Sequence, residues 1–380
     1  MRWRATWSTR WVTDMAAHVP KVHVVIRALD RNHGGFLLGL SMLADSGRIR
    51  LVQEMQRPPE RLTSGPWHLR DKDDSNIEIR VDDRASGFLD FHDSWELNEA
   101  GLRDHDVYFK RSLDLGRHPD AAQRKLEPLG LVYEVRSDGL DWREAARIVN
   151  HVVPLDVRLS AFRQYALNSL ASWFGAGPRP VLSLLSAPPD PALEPRTLFS
   201  CGLWDPAGIA RHDPSRVPEF EAINLMRANC VRQLRTALGA AFTGGTQHGA
   251  FARSYAPDTL MPDARASSKR TYLQTVRRHP ICIATMGLHG SNGCKLAEYI
   301  ALSRAIVSEP LRYQLPGPFA PETHYLPFTS PEECVARVTE LMQSQSLREK
   351  LMRANWAYYQ EWMRPDAFAG RIVERIRARG

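Results

Sequence analysis

The sequence predicts an α/β protein built from two Rossmann-like, doubly wound domains that face a cleft. With 380 residues, the chain is longer than one hydrophobic core usually organises. A β-branched run at 22–29 leads through two glycines into an apolar helical segment. From residue 197 onward, strand-like and helix-like segments alternate, as they do in parallel sheets with helical crossovers.

The first domain is predicted to span residues 1–190. Its opening unit is the strand at 22–29, a glycine turn and a helix at 36–44. The proline-dense stretch at 175–196 disfavours a long helix or a central strand, which places the domain boundary near residue 190. Further strands are predicted at 49–52, 77–81, 107–109, 131–135 and 181–185, and helices at 141–152 and 159–174.

The second domain is predicted to span residues 191–362. Its regular alternation implies parallel strands, and a cleft between two such domains is a usual place for a ligand. Strands are predicted at 197–202, 240–243, 281–285 and 305–308, and helices at 218–238, 267–278, 293–302, 331–342 and 347–362.

Composition and charge narrow the classes of function. Five cysteines without close pairing favour reduced thiols, and no secretory signal is recognised, so we expect a cytoplasmic protein. The net charge of +7 suits anionic ligands, or is a solvated surface. No nucleic-acid-binding motif accompanies it, so nucleic acid is not an expected partner.

The first residues carry an unusual aromatic pattern. Trp3, Trp7 and Trp11 recur every four residues beside several arginines. On a helix the three indoles would share one face, which suits peripheral contact with a membrane interface. The alternatives are packing onto the protein itself or a frayed terminus.

A glycine-rich loop follows the strand at 281–285. Its last residues, Gly290, Ser291, Asn292 and Gly293, lead into the helix at 293–302, with Ser291 or Asn292 at the N-cap position. Unpaired N–H groups and the positive end of the helix dipole suit an anion there, above all a diphosphate. The alternative is an ordinary glycine-rich loop.

Two charged residues sharpen this prediction. Lys295 puts a cation in the first helical turn, where an anionic ligand would offset it. Glu298 lies one turn later on the same face and could accept hydrogen bonds from a ribose diol. The alternative is a weak ion pair between Lys295 and Glu298.

The segment K-L-x-E-Y-x-A, from Lys295 to Ala301, and the later run Y-L-P-F at 325–328 carry a resemblance. Over residues 197–365 the chain resembles GT-B glycosyltransferases, specifically bacterial proteins similar to "glycosyl transferases group 1". The resemblance implies a nucleotide-diphosphate-sugar co-substrate, a hydroxyl acceptor and no cofactor or metal. It also implies a role in surface polysaccharide or glycoconjugate synthesis, with a last helix, 363–380, that crosses back to the N-terminal domain.

One position departs from the pattern of many retaining members of this superfamily, which carry two glutamates spaced E-x7-E. Counting from Glu298, the second position holds Ile306, and Glu309 comes three residues too late. The stereochemistry of transfer therefore stays open.

Further candidates come from both domains. Gly202 ends a predicted strand and Arg270 lies on a predicted helix, and both could contact the donor phosphates. A general base could be His33, Asp83 or Asp93. The candidate acceptor-binding residues are Gly34, Gly35, Lys110 and Arg111, and a structural role is the alternative for each of these positions.

Two D-x-D triplets, at 71–73 and 104–106, resemble divalent-metal motifs, but they lie in polar stretches and are interpreted as solvated. Three alternatives to a glycosyltransferase remain. These are an epimerase-like sugar-nucleotide enzyme, a non-catalytic nucleotide-sugar-binding protein and a nucleic-acid binder driven by charge.

Overall fold

The structure is a computed structural model that describes residues 18–26, 31–55, 76–138, 180–264 and 268–380. The described strands are β1 (Lys21–Ile26), β2 (Arg50–Met55), β3 (Ile77–Val81), β4 (Ala85–Asp90), β5 (Val107–Lys110), β6 (Leu126–Pro128), β7 (Thr197–Cys201), β8 (Phe242–Thr246), β9 (Ile281–Ala284), β10 (Ala305–Ser308) and β11 (Tyr325–Pro327). The described α-helices are α1 (Gly34–Asp45), α2 (Glu99–Asp104), α3 (Asp120–Gln123), α4 (Leu182–Leu185), α5 (Pro206–Ala210), α6 (Val217–Leu238), α7 (Ala250–Tyr255), α8 (Lys269–Arg278), α9 (Cys294–Ala301), α10 (Pro331–Gln343), α11 (Gln345–Tyr358) and α12 (Pro365–Arg377).

The N-terminal sheet has six strands in the order β2-β1-β3-β4-β5-β6. All neighbouring pairs are parallel except those of β3, which runs antiparallel to β1 and β4. The reversal is local: Asp82 and Asp83 both have positive φ, 55° and 57°, and close a tight hairpin between β3 and β4.

Helix α12 completes the core of this first sheet. Phe368 and Ile372 of α12 are buried in one cluster with Phe36 and Leu40 of α1. The absence of a side chain at Gly39 lets the helices approach closely, since a Cβ there would overlap the Pro365 carbonyl oxygen. The C-terminal helix of the chain therefore packs on the N-terminal sheet.

The C-terminal sheet has five parallel strands in the order β11-β10-β9-β7-β8. Side chains alternate along β9, so that Ile281 and Ile283 face a cluster with α6 and α10, whereas Cys282 faces one with α8 and α9. Helices thus cover both faces of this sheet, which is the doubly wound arrangement.

The predicted fold class, α/β with two Rossmann-like units, is confirmed. Between β7 and β9 the strand order reverses, because the chain adds β8 on one side of β7 and then crosses to the other side. Ligands of open α/β sheets bind at such a topological switch point, beyond the carboxyl ends of the strands.

Several predicted elements differ in the structure. The strand predicted at 131–135 is wrong: this buried segment forms no ladder and instead supports α1, with Tyr133 Oη donating to the Met363 carbonyl at 2.6 Å. The segment at 181–185 is mainly the helical turn α4 rather than a strand. Strand β4 was not predicted, because its sequence, ASGFLD, begins with weak strand formers.

The helices predicted at 141–152 and 159–174, the tryptophans at 3, 7 and 11, and the D-x-D at 71–73 lie outside the described residues. No helix in the described part of the chain has the length and apolar character needed to cross a membrane.

Candidate functional site

The loops after β7 and β9 line a cleft of about 370 Å³ at the topological switch point. Gly202 follows β7, and Gly287, Gly293 and the start of α9 follow β9. Residues of the N-terminal domain close the other side. The cleft therefore brings both domains together where a parallel sheet commonly binds a ligand.

Lys295 lies in the first turn of α9 and extends into this cleft. Its Nζ donates to the carbonyl and to Oγ of Ser200, the latter at 3.2 Å, and lies 4.9 Å from the ring centroid of Tyr272. Burial lowers the pKa of Lys295 from 10.5 to about 8. Among the described residues no carboxylate lies within ion-pair distance of this ammonium. A partly buried cation without a direct counter-ion is a strong candidate to bind an anion.

The loop before α9 adds backbone donors to the same region. Gly293 is the N-cap residue, no side chain caps the helix, and its first turn contains no acidic residue. Ser291 and Gly293 line the cleft. A side chain at Gly287 would collide with Ser291 Oγ, 2.7 Å away, so the glycine allows the loop to fold this tightly. The helix N-terminus and Lys295 together suit a phosphate group.

Arg227, on α6, connects the two loops that line the cleft. Its Nη1 donates to the Gly202 carbonyl at 2.7 Å, its Nη2 to the Met286 carbonyl at 2.8 Å, and its Nε to Thr285 Oγ1 at 3.0 Å. Burial lowers the pKa of this guanidinium. Arg227 therefore adds positive charge and fixes the relative position of the loops.

Sequence reasoning missed Arg227. The signal was present, because Arg227 shares the buried face of α6 with Phe220, Asn224, Val231 and Leu234, at helical spacing. A cation and an amide on an otherwise apolar stripe indicate buried hydrogen-bonding roles.

Glu298 has a different environment from the one expected. It is only 1% exposed, does not line the cleft, and forms an ion pair with Lys269 of α8. The alternative pairing with Lys295 is not formed, since Lys295 turns to Ser200 instead. A ribose contact by Glu298 stays a prediction that requires Lys269 to move.

The other predicted donor residues divide into two groups. Gly202 lines the cleft and leaves room for a ligand, since a Cβ there would be 3.6 Å from its nearest neighbour. Gly290 and Asn292 shape the loop: Gly290 has φ 66°, and Asn292 Nδ2 donates to the Tyr313 carbonyl at 3.2 Å. Arg270 is exposed on α8 and does not line the cleft.

Two N-terminal candidates, Asp93 and Arg111, face the donor loops. Arg111 Nη1 lies 2.7 Å from Asp93 Oδ1, and its Nη2 lies 3.6 Å from Cys294 Sγ. Both residues line the cleft. The structure thus brings a carboxylate and a guanidinium of the first domain to the start of α9.

The acceptor-binding prediction for Lys110 is wrong. Lys110 is fully buried and forms a 2.8 Å ion pair with Asp90, which also accepts a 2.5 Å hydrogen bond from Tyr108 Oη. Burial lowers the pKa of Lys110. Side chains alternate along a strand, so Arg111 reaches the cleft while its neighbour Lys110 does not.

The glycine turn after β1 has a packing role. His33 is fully buried with its ring centroid 4.6 Å from that of Phe91, so it is not accessible as an acceptor base. A Cβ on Gly34 would lie 2.8 Å from the Val135 carbonyl, and Gly35 faces the ring of Tyr133. The predictions for His33, Gly34 and Gly35 are therefore wrong: these residues let α1 pack on the segment at 131–135.

Asp83 is also excluded as the base. It lies in the β3–β4 turn and pairs with Lys21 at 2.8 Å, at the start of β1. Asp83 precedes β4 and Asp93 follows it, so the two aspartates lie at opposite ends of this strand. Only Asp93 of the three proposed bases reaches the cleft.

The acidic triplet at 104–106 forms local contacts. Asp104 pairs with Arg103, and Asp106 accepts from the backbone and hydroxyl of Ser86. Among the described residues, no three His, Cys, Asp or Glu side chains are grouped closely enough to hold a metal ion.

No protein-family model matches the sequence, and no curated protein matches it. Similar solved structures include the C-terminal domain of a glycosyl transferase group 1 family protein, LpcC, from Francisella tularensis. It is 8% identical, with 44% of this chain and 84% of that chain covered and a TM-score of 0.31. A putative UDP-N-acetylglucosamine 2-epimerase from Listeria monocytogenes is 10% identical over 95% of this chain and 96% of that chain, with a TM-score of 0.38.

Anabaena Alr3699/HepE, solved in complex with UDP, is 9% identical over 93% of this chain and 98% of that chain, with a TM-score of 0.37. The chain is thus similar to glycosyltransferase and sugar-nucleotide epimerase structures.

Proposed function

We propose that this protein is a glycosyltransferase that moves a sugar from a nucleotide-diphosphate-sugar donor to a hydroxyl acceptor. The observation that carries the proposal is the partly buried ammonium of Lys295, which has no carboxylate partner among the described residues and lies at the start of α9 in an interdomain cleft. A diphosphate would supply the missing negative charge.

The leaving diphosphate defines the chemistry of the donor side. Negative charge develops on it as the glycosidic bond breaks, and Lys295 and the N-terminal end of α9 would stabilise that charge. Ser200 holds the ammonium in place. Because these groups are fixed before the reaction, little reorganisation is needed in the transition state.

On the acceptor side, Asp93 is the proposed general base. Its side chain is 39% exposed, lines the cleft and lies against Arg111. A carboxylate in this position could take the proton from the attacking hydroxyl, while Arg111 orients it. The two domains would then contribute separate halves of the reaction.

The experiment is a thermal-shift screen against UDP-, GDP-, dTDP- and CMP-linked sugars, because a ligand of the folded state raises Tm. We expect one nucleotide class to stabilise the protein and Lys295→Ala to lower its affinity at least tenfold. Lys350→Ala, at an exposed lysine of α11, is the matched control. Wild-type affinity in Lys295→Ala would refute the proposal. Isomerised sugar nucleotide without transfer would identify an epimerase, and binding without turnover a non-catalytic protein.

A further inference from the structure

One wall of the cleft is apolar. Leu203, Trp204 and Leu288 contribute apolar side chains to the lining, which also includes the cations Lys295 and Arg227. Trp204 is half-buried, so part of its side chain remains accessible. Neither phosphate nor a hydroxyl nucleophile explains an accessible indole at this place.

The backbone of Trp204 is fixed in position. Its N–H donates to Asn224 Oδ1 at 2.8 Å, and Asn224 Nδ2 donates to its carbonyl at 2.7 Å. The next residue, Asp205, caps α5 by accepting from Ala207 N at 2.9 Å. The loop that carries the indole is therefore ordered before a ligand arrives, which lowers the entropic cost of binding.

The indole is supported from behind by an apolar cluster. Its ring centroid lies 6.5 Å from that of Phe220 at an interplanar angle of 65°. Trp204 packs against the same cluster as Leu288, which is 8% exposed. A supported aromatic ring at the edge of a polar cleft is the kind of surface on which a flat C–H face packs.

We propose that Trp204 is the platform on which the hexopyranose ring of the donor stacks, so that this residue determines sugar specificity. This inference rests on the proposed function. The transferred sugar must lie between its diphosphate and the acceptor, and Trp204 lines the same cleft as Lys295 of the second domain and Asp93 of the first. The nucleobase is farther from the reacting bond, because the ribose and the α-phosphate separate it from the leaving oxygen. The sugar is therefore the part of the donor that we assign to Trp204.

The charges of the cleft indicate an uncharged sugar rather than a uronate. Asp93 is the one carboxylate among the lining residues, and Arg111 is already paired with it at 2.7 Å. Lys295 and Arg227 lie where the diphosphate would bind. A sugar carboxylate would therefore be repelled by Asp93, and no further cation of the lining would be available to pair with it.

The test compares each nucleoside diphosphate with its hexose conjugate by titration calorimetry: UDP with UDP-glucose, GDP with GDP-mannose, and dTDP with dTDP-glucose. For the nucleotide that binds, we expect the hexose to tighten binding about threefold to tenfold in the wild type. Trp204→Ala should remove this increment while leaving the diphosphate affinity within about twofold. Trp204→Phe should retain most of the increment.

Tyr255→Ala, at an aromatic residue that is 43% exposed on α7, is the matched control and should keep the increment. Circular dichroism of Trp204→Ala and Trp204→Phe verifies folding. Equal loss of diphosphate and conjugate affinity in both folded variants would overturn the stacking role, and so would an unchanged increment in Trp204→Ala. Absence of any nucleotide binding by the wild type would instead refute the proposed function together with this inference.

A second arm tests the charge argument on the wild type. UDP-glucose should bind about fivefold more tightly than UDP-glucuronate if UDP is the nucleotide bound, and Asp93→Asn should narrow the difference. Preference for the uronate would overturn the assignment to an uncharged sugar.

Discussion

Arg227 and Glu309 hold the two backbone polar groups of one residue, Met286. Arg227 Nη2 donates to the Met286 carbonyl, and the Met286 N–H donates to Glu309 Oε2, both at 2.8 Å. Burial raises the pKa of Glu309. The loop after β9 is thereby fixed at its first turn, before it reaches the candidate phosphate-binding residues.

Substituting Arg227 should impair donor binding by releasing both loops. We expect Arg227→Ala to lower diphosphate affinity about tenfold or more and to destabilise the fold by about 2–4 kcal/mol, because several buried hydrogen bonds are lost. Arg227→Lys should recover part of the stability but little of the affinity, since one ammonium cannot span three acceptors. Urea unfolding and calorimetry measure the two effects. Unchanged affinity in a folded Arg227→Ala would contradict a positioning role, and Arg353→Ala on the exposed face of α11 is the control.

Donor affinity should fall as pH rises through about 8, the pKa of Lys295. The ammonium loses its charge over this range while the diphosphate stays anionic. Lys295→Arg should give a flatter profile from about pH 7 to 9, because a guanidinium remains protonated. The measurement is the dissociation constant against pH, with Lys350→Arg as the control. An equally steep profile in Lys295→Arg would show that another group titrates.

The same residue should affect stability against pH. The folded pKa of Lys295, about 8, lies below its ordinary value of 10.5. Between these values the unfolded chain binds a proton that the folded chain does not, so this residue makes stability rise with pH. Lys295→Met should remove that rise when urea unfolding is compared between about pH 8 and 10. A rise of the same size in the variant would contradict the shifted pKa.

Asp93 and Asp83 lie at opposite ends of β4, so one carboxylate serves as a control for the other. Asp93→Asn should reduce kcat by about 10²–10⁴ with diphosphate affinity nearly unchanged, as expected for a lost general base. Asp83→Asn should leave kcat unchanged. Steady-state kinetics with the identified donor separates the two outcomes, and an active Asp93→Asn enzyme would require another base.

The buried pair Lys110–Asp90 should control stability rather than turnover. Lys110→Met leaves the Asp90 carboxylate buried without its cation and should cost about 3–5 kcal/mol. Adding Asp90→Asn should restore part of the loss, because the remaining charge is then removed. Urea denaturation measures both variants. If the double variant were no more stable than Lys110→Met, burial of the lone charge would not be the cause.

The candidate site was predictable from the sequence where its chemistry is local. The positions of Gly293 and Lys295 follow from spacing within one strand–loop–helix unit, and both residues line the cleft. The partner of Glu298 is not local: Lys269 lies on another helix, and only the packing of α8 against α9 brings it close.

The wrong predictions for Asp83 and His33 in the first domain both depend on contacts that are not local in sequence. Asp82 and Asp83 follow the predicted strand at 77–81 and form the turn that makes β3 antiparallel to β4. Unless the reversal of β3 is known, the sequence does not indicate at which end of the strands Asp83 lies. Likewise, burial of His33 depends on Phe91, which is distant in sequence.

The packing of α12 on the first sheet has a consequence for the order of folding. Phe368, Ile372 and Ile376 enter the core beside β1, β3 and β4, yet the ribosome adds them after the entire C-terminal sheet. Domains usually fold as units in the order of synthesis. Here the second domain can complete its core first, whereas one apolar face of the first domain stays exposed until α12 has been synthesised.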